Sequence, residues 1–267
     1  MTSPQFPQLP PIPGYEPIRL LGINLCAVYL ARHSPTGTLV ALKVCRRDLA
    51  PHFLGLHAPL VRIDHPNISR LVGIGEFEQY FYCALEYLEK TLADRLLQGP
   101  LPEAEVARIS QRVCSALQYA WDQGMIVVDL TPNAVLLDQE NVPRLTDFHP
   151  VHALAGSHAF TPPSPFMAPE QLLQQVITPA TDVYRVGALM YAMLTGAPPF
   201  PADAGIEIAL QVLRTDPKSP RQLNPTLGRA LDAVCMTCLA KRPDARYASL
   251  QHLSDNLKPF LRESSSS

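Results

Sequence analysis

The chain of 267 residues carries little charge and no basic run, which narrows the classes of function that it supports. Charged residues make up 17% of the sequence, and the formal net charge is −2. Without clusters of lysine and arginine, neither nucleic acid nor an anionic membrane surface is expected as a partner. No apolar stretch approaches the roughly 18 residues that a membrane-spanning helix requires. The hydrophobic fraction of 47% still provides enough material for a sizeable core.

The first residues also lack the basic and apolar regions of a secretory signal peptide. Six prolines fall within the first 17 residues and predict a flexible, extended lead-in over residues 1–14. The PxxP spacing of Pro7 and Pro10 leaves open a role as a ligand for an aromatic groove. The four final serines predict a disordered tail over residues 263–267.

The six cysteines are scattered, and only Cys235 and Cys238 lie close together in the sequence. They are three residues apart within an apolar helical pattern, and a single CxxC in such a pattern is weak evidence for zinc. We therefore expect buried free thiols, which favour a reducing compartment and a cytoplasmic location.

Short apolar and β-branched runs in the first third of the chain predict β-strands. These runs are Ile18–Gly22, Ala27–His33, Leu39–Cys45, Leu71–Phe77 and Phe81–Tyr87. The segment from 50 to 64 should hold a helix, but Pro51, Gly55 and Pro59 disfavour one.

After Glu89 the apolar residues recur at helical spacing. Pro102 opens a helix with an apolar face, since proline is favourable in a first turn. The face consists of Val106, Ile109, Val113, Ala116, Leu117 and Ala120. Further helices are predicted over Asp182–Leu194, Ile206–Leu213, Leu227–Leu239 and Leu250–Leu261. A β-rich part followed by an α-rich part indicates an α+β protein in two lobes.

Eight short motifs occur along the chain, and their order and spacing are more specific than any one of them alone. They are Val40–Lys43, His65–Ile68, Leu85–Leu88, Asp129–Pro132, Asp147–His149, Phe166–Glu170, Asp182–Gly187 and Arg242–Arg246. Together they resemble the protein kinase family, most closely its bacterial serine/threonine branch. The resemblance implies a bilobal fold, with a β-rich N-lobe and hinge over 15–88 and a helical C-lobe over 89–262. It also implies an ion pair between Arg246 and Glu170.

The resemblance implies a site for ATP and Mg²⁺. It assigns a phosphate contact to Lys43, the proton-accepting carboxylate of the catalytic loop to Asp129, and metal binding to Asp147. The positions that correspond to the family's adenine slot and hinge are Leu21, Val28, Ala41, Leu85, Glu86, Leu88 and Leu136.

Two departures from the family concern the phosphate-binding parts of the N-lobe. The segment Gly22–Val28 keeps one glycine of G-x-G-x-x-G and is one residue shorter, which predicts a plain β-turn. The glutamate that orients the lysine should fall at Leu56, beside His57, and no glutamate occurs between Leu49 and Ser69. The usual ion pair to Lys43 is therefore not expected.

The catalytic loop departs further. Thr131 stands where the family has lysine, Ala134 where it has the metal-binding asparagine, and Val128 where it has arginine. Asn133 is one place early, and such an offset in a tight loop should turn its side chain away from a metal.

The stretch that follows also departs from the family. His149 replaces the glycine of D-F-G and should restrict the backbone there. Pro162 and Pro163 replace the glycine and threonine before the substrate-docking stretch. An alternative use of this stretch is a metal site formed by Asp147 with three histidines, His149, His152 and His158, although the spacing matches no usual zinc pattern.

These departures predict a pseudokinase: a binding and regulatory scaffold that has an unidentified protein partner and retains weak ATP binding. The partner would dock on the helical lobe or on the segment from 50 to 64. The main alternative is an atypical but active serine/threonine kinase, because Lys43, Asp129 and Asp147 are all present. A small-molecule phosphotransferase of related fold is a third hypothesis.

Overall fold

The computed structural model describes residues 11–23, 26–48, 55, 57–127, 129–150, 163–201 and 205–261, with the backbone alone for 149 and 150. The chain forms two compact units, Met1–Asp64 with Ser69–Tyr87 and His65–Ile68 with Leu88–Ser267. Of the lead-in predicted over residues 1–14, residues 1–10 lie outside the described residues, as does the tail over 263–267. In the described remainder of the lead-in, Ile12 is buried in the core of the first unit. No helix in the described ranges is long and apolar enough to cross a membrane.

The first unit is built on a five-stranded antiparallel sheet in the order β1-β2-β3-β5-β4. Its strands are β1 (Tyr15–Ile23), β2 (Ala27–His33), β3 (Leu39–Arg46), β4 (Leu71–Phe77) and β5 (Tyr80–Glu86). Side chains alternate between the two faces of a strand, so one face collects the core. That core comprises Ile12, Tyr15, Tyr29, Ala31, Val40, Leu42, Val44 and Ala84.

All five strands predicted from the sequence are present, and the bounds of β2 and β4 are as predicted. The observed bounds of β1, β3 and β5 differ from the predicted ones by one to three residues at one or both ends. Backbone hydrogen bonds, and not apolar character, determine where a strand ends. Gly37 adopts φ +71° in the turn that joins β2 to β3, a conformation that favours glycine. In the segment from 50 to 64, a 3₁₀ helix covers Ala58–Arg62, while residues 50–54 and 56 lie outside the described residues.

The second unit is mainly helical. Its α-helices are α1 (Leu92–Leu96), α2 (Glu103–Asp122), α3 (Pro169–Leu172), α4 (Pro179–Thr195), α5 (Gly205–Arg214), α6 (Pro220–Leu223), α7 (Arg229–Cys238) and α8 (Leu250–Leu257). Its short strands are β6 (Lys90–Thr91), β7 (Met125–Val127), β8 (Val135–Leu137), β9 (Pro143–Leu145) and β10 (Phe148–Pro150). Strands β6, β8 and β9 form one small sheet, and β7 pairs with β10 in another.

The helices follow the predicted pattern closely. Helix α2 begins directly after Pro102, and its predicted apolar face is buried. Helix α4 ends at Gly196, whose left-handed backbone (φ +78°) terminates it. The predicted bounds of the four later helices were inexact. The helix expected over Asp182–Leu194 begins three residues earlier and ends one residue later, and the one expected over Ile206–Leu213 is one residue longer at each end. The helix expected over Leu227–Leu239 is the shorter α7, and the one expected over Leu250–Leu261 ends at Leu257 and continues as a 3₁₀ turn.

All six cysteines are free thiols, and five of them are buried. The prediction of buried free thiols is confirmed for these five, whereas Cys26 is partly exposed. Cys235 and Cys238 lie on α7, where the Cys235 thiol donates to the carbonyl of Gly187 at 3.5 Å.

Gly187 of α4 lies in close contact with Cys238 of α7. A Cβ atom at this position would overlap the Cβ of Cys238 and lie 3.5 Å from its Cα. We expect Gly187→Ala to lower the free energy of unfolding by about 1–3 kcal/mol, because the helices must separate to admit the methyl group. Urea unfolding followed by the fluorescence of Trp121, the single tryptophan, measures this in the second unit.

The matched control is Gly205→Ala at the start of α5. There a Cβ would meet only ordinary contacts, the nearest at 3.5 Å to Pro163. We expect that variant to unfold within about 0.5 kcal/mol of the wild type. Equal stability of the Gly187 and Gly205 variants would contradict the packing argument.

Candidate functional site

The residues predicted to bind a cofactor divide between the two units. In the first unit, the strand register pairs Val28 with Lys43 and Ala41 with Leu85. Directly opposite residues share a face of the sheet. Since Val40, Leu42 and Val44 lie in the core, these four residues lie on the other face. The sheet therefore brings them together as the resemblance implies.

Glu86 ends β5 and is fixed at its backbone. Its N–H donates to the carbonyl of Arg70 at 2.8 Å, and its carbonyl accepts from the Ser69 hydroxyl at 3.3 Å. Leu21, in contrast, is exposed in β1, at a register shift between Leu20 and Gly22.

The connection between β1 and β2 is short. Ile23 pairs with Ala27, which leaves residues 24–26 to join the strands. Residues 24 and 25 lie outside the described residues, so the β-turn expected there stays a prediction. The same holds for Leu56, where the family's glutamate would fall, while its neighbour His57 is buried.

In the second unit, Asp129 follows β7 and stands at a tight turn. Its carbonyl accepts from the N–H of Thr131 at 3.1 Å. Burial raises the pKa of the Asp129 carboxyl, the charge of Arg185 opposes this, and the charge of Asp147 adds to it. The two predicted carboxylates, Asp129 and Asp147, are thus close enough to interact electrostatically.

The turn after Asp129 separates Asn133 from Ala134. Both lie in the 3₁₀ turn Pro132–Ala134, where Asn133 is exposed and Ala134 is buried. The carbonyl of Ala134 accepts from the N–H of Thr146, next to Asp147, at 3.1 Å. The position at which the family has its metal-binding asparagine therefore carries a buried methyl group, which cannot bind a metal, and the neighbouring Asn133 is exposed.

Asp147 adopts a left-handed backbone, with φ +63°. Aspartate tolerates this region better than most residues do. His149 lies in β10, opposite Ile126 of β7, in an extended conformation that any residue adopts. The unusual backbone angle of this turn is therefore at Asp147, whereas it was expected at His149.

The donor set fits one Mg²⁺ held together with nucleotide phosphates. Mg²⁺ is commonly bound by one or two carboxylates, substrate phosphates and water. Asp147 and the nearby Asp129 supply carboxylates, whereas Ala134 supplies nothing for a second ion. Within the described residues no group of three or more histidine, cysteine, aspartate or glutamate side chains is placed to hold a metal. His152 and His158 lie outside those residues.

The pair of Arg246 and Glu170 is present as predicted. Arg246 Nη1 lies 2.7 Å from Glu170 Oε1, and Arg246 Nη2 lies 2.9 Å from Oε2. The side chains are 0% and 5% exposed. This bidentate pair joins α3 to the 3₁₀ turn Pro243–Ala245 and its flanking residues.

A buried network behind the catalytic loop was not predicted from the sequence. Asp182 accepts from Trp121 Nε1 at 2.7 Å and from Arg185 Nη1 at 2.8 Å. Arg185 Nη1 also donates to the carbonyl of Val127 at 2.7 Å, and both charged side chains are 1% exposed. One signal was available: an arginine three residues after an aspartate inside an otherwise apolar helix.

Comparison with known proteins agrees with this architecture. The family model described as "Protein kinase domain" matches residues 15–257. The serine/threonine-protein kinase PknB of Mycobacterium leprae is 30% identical over an alignment of 262 positions that covers 91% of this chain and 42% of that protein. PknB of Mycolicibacterium smegmatis is 30% identical over 277 residues, with shares of 96% and 44%. PrkC of Bacillus subtilis is 27% identical over 258 residues, with shares of 91% and 40%. The chain thus spans less than half the length of each of these relatives.

Proposed function

The chain belongs to the protein kinase family, and we propose that within it the chain is a pseudokinase, a binding and regulatory module with weakened or lost phosphoryl transfer. The observation that carries the proposal is the pair of neighbours Ala134 and Asn133. The buried methyl of Ala134 lies beside the metal-binding segment, and the amide of Asn133 is exposed. A second metal ion then has no protein ligand from this loop.

Charge at the site supports the same proposal. Phosphoryl transfer depends on positive groups and metal ions that neutralise the transferring phosphate. Thr131 replaces a lysine in the catalytic loop, so that cation is missing. Asp129 and Asp147 remain as two carboxylates whose mutual repulsion favours a single Mg²⁺ over none.

The proposed pseudokinase still binds ATP, although weakly. Val28, Ala41 and Leu85 offer an apolar surface on the face that also carries Lys43. An apolar surface of this kind suits the adenine ring, and Lys43 suits the phosphates. Glu86 of the first unit and Leu88 and Leu136 of the second unit are the other residues that the resemblance assigns to the nucleotide.

We expect ATP to raise the melting temperature of the purified protein. A ligand at about 100 times its Kd adds roughly 2.7 kcal/mol to stability, which corresponds to roughly 5–10 °C for a chain of this size. Thermal unfolding is measured with ATP alone, with ATP and Mg²⁺, and with ATP and Mn²⁺. Lys43→Ala should lose most of the rise, and Lys218→Ala, an exposed lysine of the second unit, should keep it.

No rise at millimolar ATP would contradict the nucleotide part of the proposal and leave a docking scaffold. A rise that Lys43→Ala retains in full would show that the nucleotide binds elsewhere.

An atypical but active serine/threonine kinase is the second candidate, and one observation favours it. Burial raises the pKa of Asp129, and a more basic carboxylate accepts the proton of a substrate hydroxyl more readily. Transfer of labelled γ-phosphate that Asp147→Ala abolishes would establish this activity in place of the pseudokinase.

The partner is proposed to be a protein, and the buried free thiols favour a cytoplasmic setting. The relatives named above are serine/threonine kinases, so the partner class proposed first is a protein of a phosphorylation pathway.

A further inference from the structure

Two cysteines, Cys26 and Cys45, lie side by side in the first unit. Ala27 of β2 pairs with Val44 of β3, and Cys26 and Cys45 are the residues next to this pair, at the positions where the antiparallel ladder would continue. The two thiols are hydrogen-bonded to each other. Opposite residues in an antiparallel pair have Cα atoms about 4.5–5.5 Å apart, within the range of about 4.4–6.8 Å that a disulfide spans.

The other cysteines are less suited to pairing. Cys83 lies opposite Lys43 on β5 and is therefore diagonal to Cys45. Diagonal neighbours are about 7–8 Å apart, which is beyond the usual span of a disulfide. Cys114, Cys235 and Cys238 are at most 1% exposed in the second unit, where a dissolved oxidant does not reach them readily.

We propose that Cys26 and Cys45 are an oxidation site, at which a hydroperoxide converts the two thiols to a disulfide beside Lys43. The Cys26 thiolate attacks a peroxide oxygen, the O–O bond breaks, and the departing alkoxide takes up a proton as an alcohol. Cys26 becomes a sulfenic acid. The Cys45 sulfur then attacks the Cys26 sulfur, the S–O bond breaks, and the hydroxide leaves as water with the Cys45 proton. Two electrons pass from the two sulfurs to the peroxide.

The reaction is slow at neutral pH. Burial and the hydrogen bond to Cys45 raise the pKa of Cys26 to about 12. Of the other groups that face its sulfur, Cys83 also raises the pKa and Lys43 lowers it. The thiolate is the reactive form, so at any pH below this pKa the rate of the first step should increase about tenfold for each unit by which the pH is raised.

The disulfide would act on the nucleotide site, a consequence that rests on the proposed function. Cys26 is the residue directly before β2, and Cys45 is two residues from Lys43 on the same face of β3. A covalent link at this point fixes the spacing of β2 and β3 next to Lys43, the residue proposed to contact the phosphates.

The test uses the full chain treated with tert-butyl hydroperoxide at pH 8, followed by proteolysis without reductant and mass spectrometry. We expect one linked peptide pair that contains Cys26 and Cys45, while the other four cysteines remain open to alkylation after unfolding. Cys26→Ser should abolish the link, and Cys83→Ser should leave it unchanged. Cys26 recovered as a sulfinic acid with Cys45 free, or linked to any other cysteine, would overturn the assignment.

A second readout compares the ATP-induced rise in melting temperature before and after oxidation. We expect the disulfide to reduce the rise by at least half, and reduction with a dithiol to restore it. An unchanged rise would overturn the effect on the nucleotide site. A mapped disulfide in a protein that shows no rise in either state would instead count against the proposed nucleotide binding and leave the oxidation site standing.

Discussion

Replacement of Arg246 by methionine is expected to cost the protein about 3–5 kcal/mol of unfolding free energy. The guanidinium group makes a bidentate pair with Glu170 and is fully buried. It also donates to the carbonyls of Ala180, Ala240 and Lys241 at 2.8–2.9 Å. Methionine matches much of its volume but leaves one carboxylate and three carbonyls without these donors, which is the costly outcome for buried polar groups.

The control is Arg242→Met, four residues earlier in the same segment. Arg242 pairs with Asp244 at the surface, where the side chains are 80% and 66% exposed. Exposed pairs add little to stability, so no measurable change is expected. Urea unfolding followed by Trp121 fluorescence reports both variants, since Trp121 lies in the same unit. Similar losses for the two arginines would contradict the argument from burial.

The pH dependence of the Arg246 variant supplies a second check. Burial alone would raise the pKa of Glu170, but the hydrogen bonds and charge of Arg246 outweigh burial and hold the pKa below its ordinary value. The stability that the pair contributes is therefore fully present above the pKa of glutamate in the unfolded state, about 4.3. It is lost as the pH falls through the pKa of Glu170 in the folded state. The stability difference between wild type and variant should accordingly shrink between pH 6 and pH 3.

Much of the fold follows from local pattern. Strands β2 and β4 were predicted to the residue, and β2 ends where its apolar run meets the turn residues Ser34–Gly37. Helix α2 followed from the spacing of its apolar face and from Pro102. The strands β6 to β10 have two or three residues each, too few for a period to show. Strands β6, β7 and β10 pair with segments more than 20 residues away, whereas β8 and β9 pair with each other across a short connection.

The site divides along the same line. The pair of Glu170 and Arg246 belongs to two motifs whose spacing identifies them, so the sequence sufficed. The left-handed backbone at Asp147 depends on the pairing of β10 with β7, which brings together segments more than 20 residues apart. The hydrogen bond from Trp121 to Asp182 likewise spans 61 positions in the chain, and no local pattern predicts it.

Replacement of Arg185 by leucine should be comparably destabilising, by about 3–5 kcal/mol, for a different reason. Arg185 neutralises Asp182 in the centre of the second unit and also holds the carbonyl of Val127, just before the catalytic loop. Burial raises the pKa of Asp182, opposed by Arg185 and by the hydrogen bond from Trp121. Leucine removes the larger of the two opposing influences, so the pKa of Asp182 should rise further.

The sign of the pH effect separates this variant from a simple packing defect. A carboxyl group with a raised folded-state pKa disfavours folding above that pKa and ceases to do so when it is protonated. The deficit of Arg185→Leu should therefore be smaller at pH 5 than at pH 8, measured by urea unfolding. The double variant Asp182→Asn with Arg185→Leu removes both charges of this pair and should recover part of the loss. A deficit independent of pH, with no recovery in the double variant, would show that Arg185 acts through its volume and its bond to Val127 rather than by neutralising Asp182.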